Sequence, residues 1–298
     1  MRVGLLPRVV LFVVCSAVST AAFADDKTYS IHLSRPVKVG DQFSLAVSAK
    51  TVITTTPRLP VIGAATKREE SVDLQCTERI IAIEPHTQDP VKLELKVDHF
   101  TRNDADLAAE GAMIVVENSG TKMLYTIDGN AVSTDMERAL SLLTSVRSPT
   151  DTDSYDDTYG TPIATKIDDS WDMNPAILAK AFNYSNRKVD PANISGKGKL
   201  IDVEPSDHGP NFDVELNIKA TKLRGDWSNG WKIADGDFTT NITRIVPVDD
   251  GVVGLEFRQQ FVESLDLVRK DPSGKTSECL YKRDMSRVSI RSALVKKQ

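Results

Sequence analysis

The sequence predicts a mainly β protein whose long antiparallel strands fall into two related halves, with two short α-helices. Three observations predict it. Apolar and polar residues alternate along extended runs, the mark of half-buried antiparallel strands. Turn-forming residues separate those runs at hairpin positions. Strand–turn–strand segments recur at an offset of 120 residues before the turn and 121 after it.

The chain has 298 residues, with 40% hydrophobic and 27% charged positions. That composition excludes collagen-like, low-complexity, multispanning membrane and disulfide-framework classes. Arg2 and Arg8 precede an apolar run from Val9 to Ala17, and Ala22-Phe23-Ala24 follows. A positive start, a short apolar stretch and an A-x-A end describe a secretory signal over 1–24, cleaved near Ala24. The run is too short to cross a bilayer as a helix, which takes about 20 apolar residues. Cys15 lies within it, and bulky Val14 does not suit lipoprotein cleavage before that cysteine. The expected location is therefore periplasmic or extracellular.

Removing 1–24 takes away two arginines and no acid, so the formal charge moves from −5 to −7. An acidic chain without a Lys/Arg stripe is not expected to bind nucleic acid. No second apolar segment or aromatic girdle marks it as an integral membrane protein.

The first half, 25–146, opens with Phe43, Leu45, Val47, Ala49 and Ile53 on one face, and Ser44, Ser48 and Lys50 on the other. The stretch Thr56–Glu69, with Pro57, Pro60 and Gly63, reads as an apolar loop over the sheet end, or as a docking loop. Val91, Leu93, Leu95 and Val97 alternate with Lys92, Glu94, Lys96 and Asp98, and His99 extends the apolar set as a core-edge imidazole. Asp128-Gly129 marks a turn. Thr134-x-x-Glu137 reads as a capping box before a helix whose face carries Met136, Leu140 and Leu143.

Residues 147–161 form an acidic linker. Asp151, Asp153 and Asp157 are weak calcium candidates, because Asp156 and Pro162 stand where an EF-hand loop needs glycine and glutamate. The second half, 162–298, opens a helix at Asn174-Pro175 that runs to Phe182. Gly196-Lys197-Gly198-Lys199 lacks phosphate-loop spacing and reads as a turn into a strand. Asp249-Asp250-Gly251 and Asp271-Pro272-Ser273-Gly274 frame three long strands, 237–248, 252–269 and 275–291. Val253, Leu255, Phe257, Phe261, Leu265 and Leu267 share one face of the middle strand.

The repeat is Ile81-Ala82-Ile83-Glu84-Pro85 with Leu93–Val97, matched by Ile201-Asp202-Val203-Glu204-Pro205 with Val214–Ile218. Val39–Phe43 likewise matches Ile167–Trp171. With the signal and the Pro162–Trp171 block, this organisation resembles secreted bacterial β-rich proteins of unknown function. By analogy of fold, the meander and helices also resemble periplasmic half-barrels that carry lipids or lipoproteins.

Searches for a nucleophile elbow, a zinc motif or a dinucleotide loop find none, and no cofactor is implied. His86 and His208 occupy corresponding turns of the repeat, where a hydrolase would need them beside a carboxylate and a nucleophile. In an oxidising compartment, Cys76 and Cys279 are expected to form a disulfide joining the two ends of the chain.

The sharpest expectation concerns register. Pairing Asp271 with Lys275 sets Leu267 opposite Cys279, Leu265 opposite Tyr281 and Glu263 opposite Arg283. Glu263 and Arg283 then form an ion pair on the apolar face, which Gln259 and Arg244 also interrupt. Inward polar groups must be paired, hydrated or line a cavity. Arg244, Gln259, Glu263 and Arg283 are thus the candidate ligand-binding residues. The function expected is non-catalytic binding of an apolar or amphiphilic molecule against a concave sheet. The alternative is an envelope interaction or scaffold protein, with a hydrolase third.

Overall fold

Alternation over so much of the chain leaves many strands, each with one face that must be buried, and a single sheet satisfies them. The computed structural model describes residues 27–35, 37–58, 63–120, 122–144, 146–183, 187–207, 209–252 and 254–293. The signal segment, His208 and Val253 lie outside the described residues.

Seven strands come from the first half: β1 (Gln42–Arg58), β2 (Thr66–Ile83), β3 (Pro90–Arg102), β4 (Ala105–Asp106), β5 (Met113–Asn118), β6 (Met123–Ile127) and β7 (Asn130–Ala131). Eight follow in the second: β8 (Ser170–Asp172), β9 (Arg187–Lys188), β10 (Ile194–Glu204), β11 (Asn211–Thr221), β12 (Arg224–Asp226), β13 (Lys232–Pro247), β14 (Leu255–Lys270) and β15 (Thr276–Ala293). They join one antiparallel sheet, twelve of them in the order β7-β6-β5-β3-β2-β1-β15-β14-β13-β11-β10-β8, with β4 on β3 and β9–β12 on β13 beside that path, and the sheet is not closed into a barrel. The first long strand pairs with the last, so β1 and β15 lie side by side at the middle of the sheet.

Three helices are present: α1 (Thr134–Leu143), α2 (Tyr155–Tyr159) and α3 (Pro175–Phe182). The cap of α1 is Ser133, one residue before the expected Thr134, with its hydroxyl accepting from the Met136 amide at 3.2 Å. Met136, Leu140 and Leu143 form the buried face, as the spacing predicts. Asn174 caps α3 through its side-chain oxygen, with Pro175 at the first helical position. The segment expected as an acidic linker contains α2. Ser154 and Asp157 close a capping box there, and Thr158 is 2% exposed.

One face of the sheet is covered and the other is wet. The N-terminal strap, residues 27–37, adds Ile31, Leu33 and Val37 to the buried core. Asp156 holds the strap by accepting from the amides of Leu33 and Ser34. Gly196 and Gly198 sit inside β10, not in a turn, because that strand is approached closely. A Cβ on Gly198 would lie 2.1 Å from the Trp171 ring, and one on Gly196 would lie 2.5 Å from Met173 Sδ.

Three further expectations are corrected. The flanks of the expected loop over Thr56–Glu69 are strand, with β1 reaching Arg58 and β2 starting at Thr66, whereas residues 59–62, with Leu59, Val61 and Ile62, lie outside the described residues. His99 is exposed: a register shift between Gln75 and Cys76 turns it outward and gives the inward place to Phe100. Cys76 and Cys279 are both buried free thiols. On β1, Cys76 is opposite Leu45 whereas Cys279 is opposite Pro57. That separation along the strand is about 40 Å, far beyond the reach of a disulfide. Both thiols are raised by burial, that of Cys76 to about 12 with Glu78 adding to the effect.

Candidate functional site

The register expected for the final hairpin is present. Asp271 donates its amide to the Lys275 carbonyl at 3.0 Å, and Leu267, Leu265 and Glu263 face Cys279, Tyr281 and Arg283. This puts a series of cross-strand rows on the covered face of β13, β14 and β15. In order along the sheet, the rows are Arg244–Phe257–Ser289, Ile242–Gln259–Arg287, Thr240–Phe261–Met285, Phe238–Glu263–Arg283 and Gly236–Leu265–Tyr281. Aromatic, aliphatic and charged side chains therefore share one strip. From Phe257 to Glu263 it is about 20 Å long at the usual strand rise.

Glu263 is fully buried, and its partner is Arg187 on β9, not Arg283. The Arg187 guanidinium lies 3.2 Å from both carboxylate oxygens, although only the bond to Oε2 is well aligned. Burial pushes the Glu263 carboxyl upward, while Arg187 and Arg283 pull it back. Arg283 instead places Nη2 3.1 Å from Met285 Sδ and its guanidinium over the Phe261 ring. With Glu263 already engaged, Arg283 has no carboxylate partner within 4.0 Å among the described residues. Gln259 donates to Thr240 Oγ1 at 3.1 Å and sits midway along the strip.

Arg244 lies at the other end, about 20 Å from Glu263. It is 5% exposed, and its Nε has no hydrogen-bond partner. The guanidinium stacks over Tyr155 of α2 at 4.8 Å, and Arg147 approaches the same ring at 5.1 Å. Burial lowers the Arg244 pKa from its ordinary value, opposed by Tyr155, Tyr159, Asp156 and Asp89. Arg147 also reaches Asp89 at 3.4 Å. A chain of side chains thus links the β2–β3 turn to β13, four strands away in the sheet.

The four candidates therefore divide: Glu263 and Arg283 come together, Gln259 lies between, and Arg244 stands apart. Sequence reasoning missed Arg187, Tyr155, Trp227 and Arg287. Arg187 and Tyr155 sit outside any long periodic run. Arg287 shares strand parity with Arg283, so its inward direction was legible. Its guanidinium donates to the Leu143 carbonyl at the end of α1, at 2.6 Å, and stacks over Phe257.

Trp227 packs on Tyr281 at 5.1 Å and under Arg187 at 5.3 Å, closing the Glu263 end. Phe182 of α3 meets Phe238 at 4.8 Å and flanks the strip. Phe257, Tyr281, Trp227, Trp231 and Leu255 all pack on the core yet are only partly buried.

The other candidates take structural roles. Asp151 and Asp153 are engaged by Arg147 and Lys180, and Asp157 caps α2. No metal-holding group of His, Cys, Asp or Glu occurs among the described residues. The His86 amide donates to Glu84, and its imidazole has no hydrogen bond among them.

No protein-family model matches the chain, and no curated protein matches it. Among solved structures, Salmonella typhi OmpF in complex with daunomycin aligns with 86% of this chain and 98% of its own, at 9% identity. Its TM-score is 0.18, so it carries no statement about fold or function.

Proposed function

We propose that this chain is a secreted, non-catalytic carrier, periplasmic or extracellular after signal cleavage near Ala24. It holds an apolar or amphiphilic molecule along the covered strip of β13–β15. The observation that carries the reading is the make-up of that strip: partly buried aromatics alternate with inward polar groups that lack full partners. A filled core has no use for such a surface, whereas ligand sites combine apolar walls with a few orienting polar groups.

The scaffold alternative has less to rest on. The flanks of its docking loop are paired strand, and the free sheet edges, β7 and β8, are only two and three residues long. Short edges are how sheets avoid recruiting further strands.

The test is native mass spectrometry of residues 25–298 purified from the periplasm, before and after solvent extraction. The expected result is a stoichiometric adduct that extraction removes. A clean apo mass under several gentle conditions, with no binding of added amphiphile, overturns the carrier reading.

A further inference from the structure

We propose that the amphiphile is an anionic one, its acidic head received between the guanidinium groups of Arg244 and Arg287. This rests on the carrier reading and names its ligand class. Arg244 is 5% exposed, with an unpartnered Nε and no carboxylate within 4.0 Å among the described residues. The nearby acids are committed elsewhere: Asp89 lies 3.4 Å from Arg147, and Asp156 accepts the strap amides of Leu33 and Ser34. Arg287 likewise has an unpartnered Nε, and its one side-chain hydrogen bond among the described residues goes to the Leu143 carbonyl. A helix-end carbonyl carries a fraction of a charge, not a counterion.

The two arginines flank one aromatic ring. Arg244 is directly opposite Phe257, and Arg287 stacks on that ring at 5.6 Å. Tyr155 lies under Arg244 and acts electrostatically on both guanidiniums. Two cationic forks beside a phenol, Arg244 buried and Arg287 and Tyr155 half-buried, suit an oxyanion, which guanidinium binds in parallel pairs. A buried cation without a partner, as Arg244 is, costs enough that a compensating anion is the economical explanation. Carboxylate and phosphate share this chemistry. The strip of Phe257, Phe261, Met285 and Tyr281 leading away from the arginines fits an attached hydrocarbon tail and so favours an amphiphile over a free ion.

The test compares dodecanoic acid, dodecanol and inorganic phosphate on residues 25–298, followed by tryptophan fluorescence and calorimetry. The acid is expected to bind about 10- to 100-fold more tightly than the alcohol, the worth of charge-assisted hydrogen bonds. Arg244→Gln and Arg287→Gln should each lose most of that preference, and Arg244→Lys should keep part of it. Cooperative thermal unfolding of each variant separates lost recognition from lost folding. Equal affinity of the wild type for acid and alcohol overturns the anionic inference and leaves the carrier reading standing. Phosphate binding with neither amphiphile bound means a free-oxyanion site, and no binding of any probe means no ligand site. Either result overturns both.

Discussion

The first half of the sheet and the β13–β15 strip of the second bury charge in different ways. In the first half, Leu74, Leu95, Ile114 and Val116 are fully buried, with Val47 and Ala49 nearly so. The charges that enter that half meet opposite charges. Glu78 receives both Nε and Nη2 of Arg291, and Glu70 takes Arg68 at 2.9 Å and Arg102 at 2.8 Å. In the second half, β13–β15 bring Arg244, Arg283 and Arg287 inward, each with an unpartnered Nε and none with a carboxylate within 4.0 Å among the described residues. The lesson is that inward charge alone does not mark a site. What distinguishes the second half is charge without a partner beside aromatics that are not fully covered.

Substitutions should expose this difference. The largest effect is expected in the first half, where Leu74→Ala removes a fully buried side chain and should lower unfolding free energy by about 3 kcal/mol. Phe257→Ala on the partly buried strip should cost under about 2 kcal/mol, read from the same urea titrations, while weakening ligand binding. If both cost the same, the strip is ordinary core.

Charge removal should differ even in sign. Glu78→Gln breaks a matched pair and should destabilise by about 2 kcal/mol, below the usual range because Arg291 is 21% exposed. Arg244→Met removes a buried cation that has no counterion, and should leave the apo protein unchanged or about 1 kcal/mol more stable. A large loss there would mean that Tyr155 and the distant acids already balance Arg244.

Reactivity offers a smaller contrast. Cys76, with its thiol pushed up to about 12 by burial, should resist iodoacetamide until the sheet unfolds. Cys279 should behave likewise, and an intact mass two hydrogens below the reduced chain would contradict the free thiols.

The smallest effect concerns corresponding turns of the repeat. Glu84 accepts from the amides of Thr87 and His86, and those bonds hold its carboxyl below the usual carboxylate range. Its contribution is therefore present above the unfolded-state pKa and lost as pH falls through the lower folded value. The gap in stability between wild type and Glu84→Gln should thus narrow on acidification. Glu204, at the matching turn, is exposed and accepts no hydrogen bond among the described residues, so Glu204→Gln should be close to neutral.

Much of this contrast was legible in the chain. Alternation fixed which residues of β14 and β15 face inward, and the Asp271–Gly274 turn set their register, down to Glu263 opposite Arg283. The partner of Glu263 was not legible. Arg187 comes from a two-residue strand, and its approach to β14 depends on the path of the chain through β12 and β9. Tyr155 was hidden for a related reason: its helix lies in an acidic stretch without apolar periodicity, ordered by one capping box. The disulfide expectation failed because cysteine count and compartment carry no distance. Neither shows that β2 and β15 flank β1 running in the same direction, with Cys76 late in one and Cys279 early in the other.

The most direct test is hydrogen exchange of residues 25–298 with and without dodecanoic acid. A carrier that binds along the strip should gain protection in β13, β14 and β15 and in the segment around Tyr155, while β3, β5 and β6 exchange as before. Protection centred on the first half, or spread evenly over the sheet, would contradict the account.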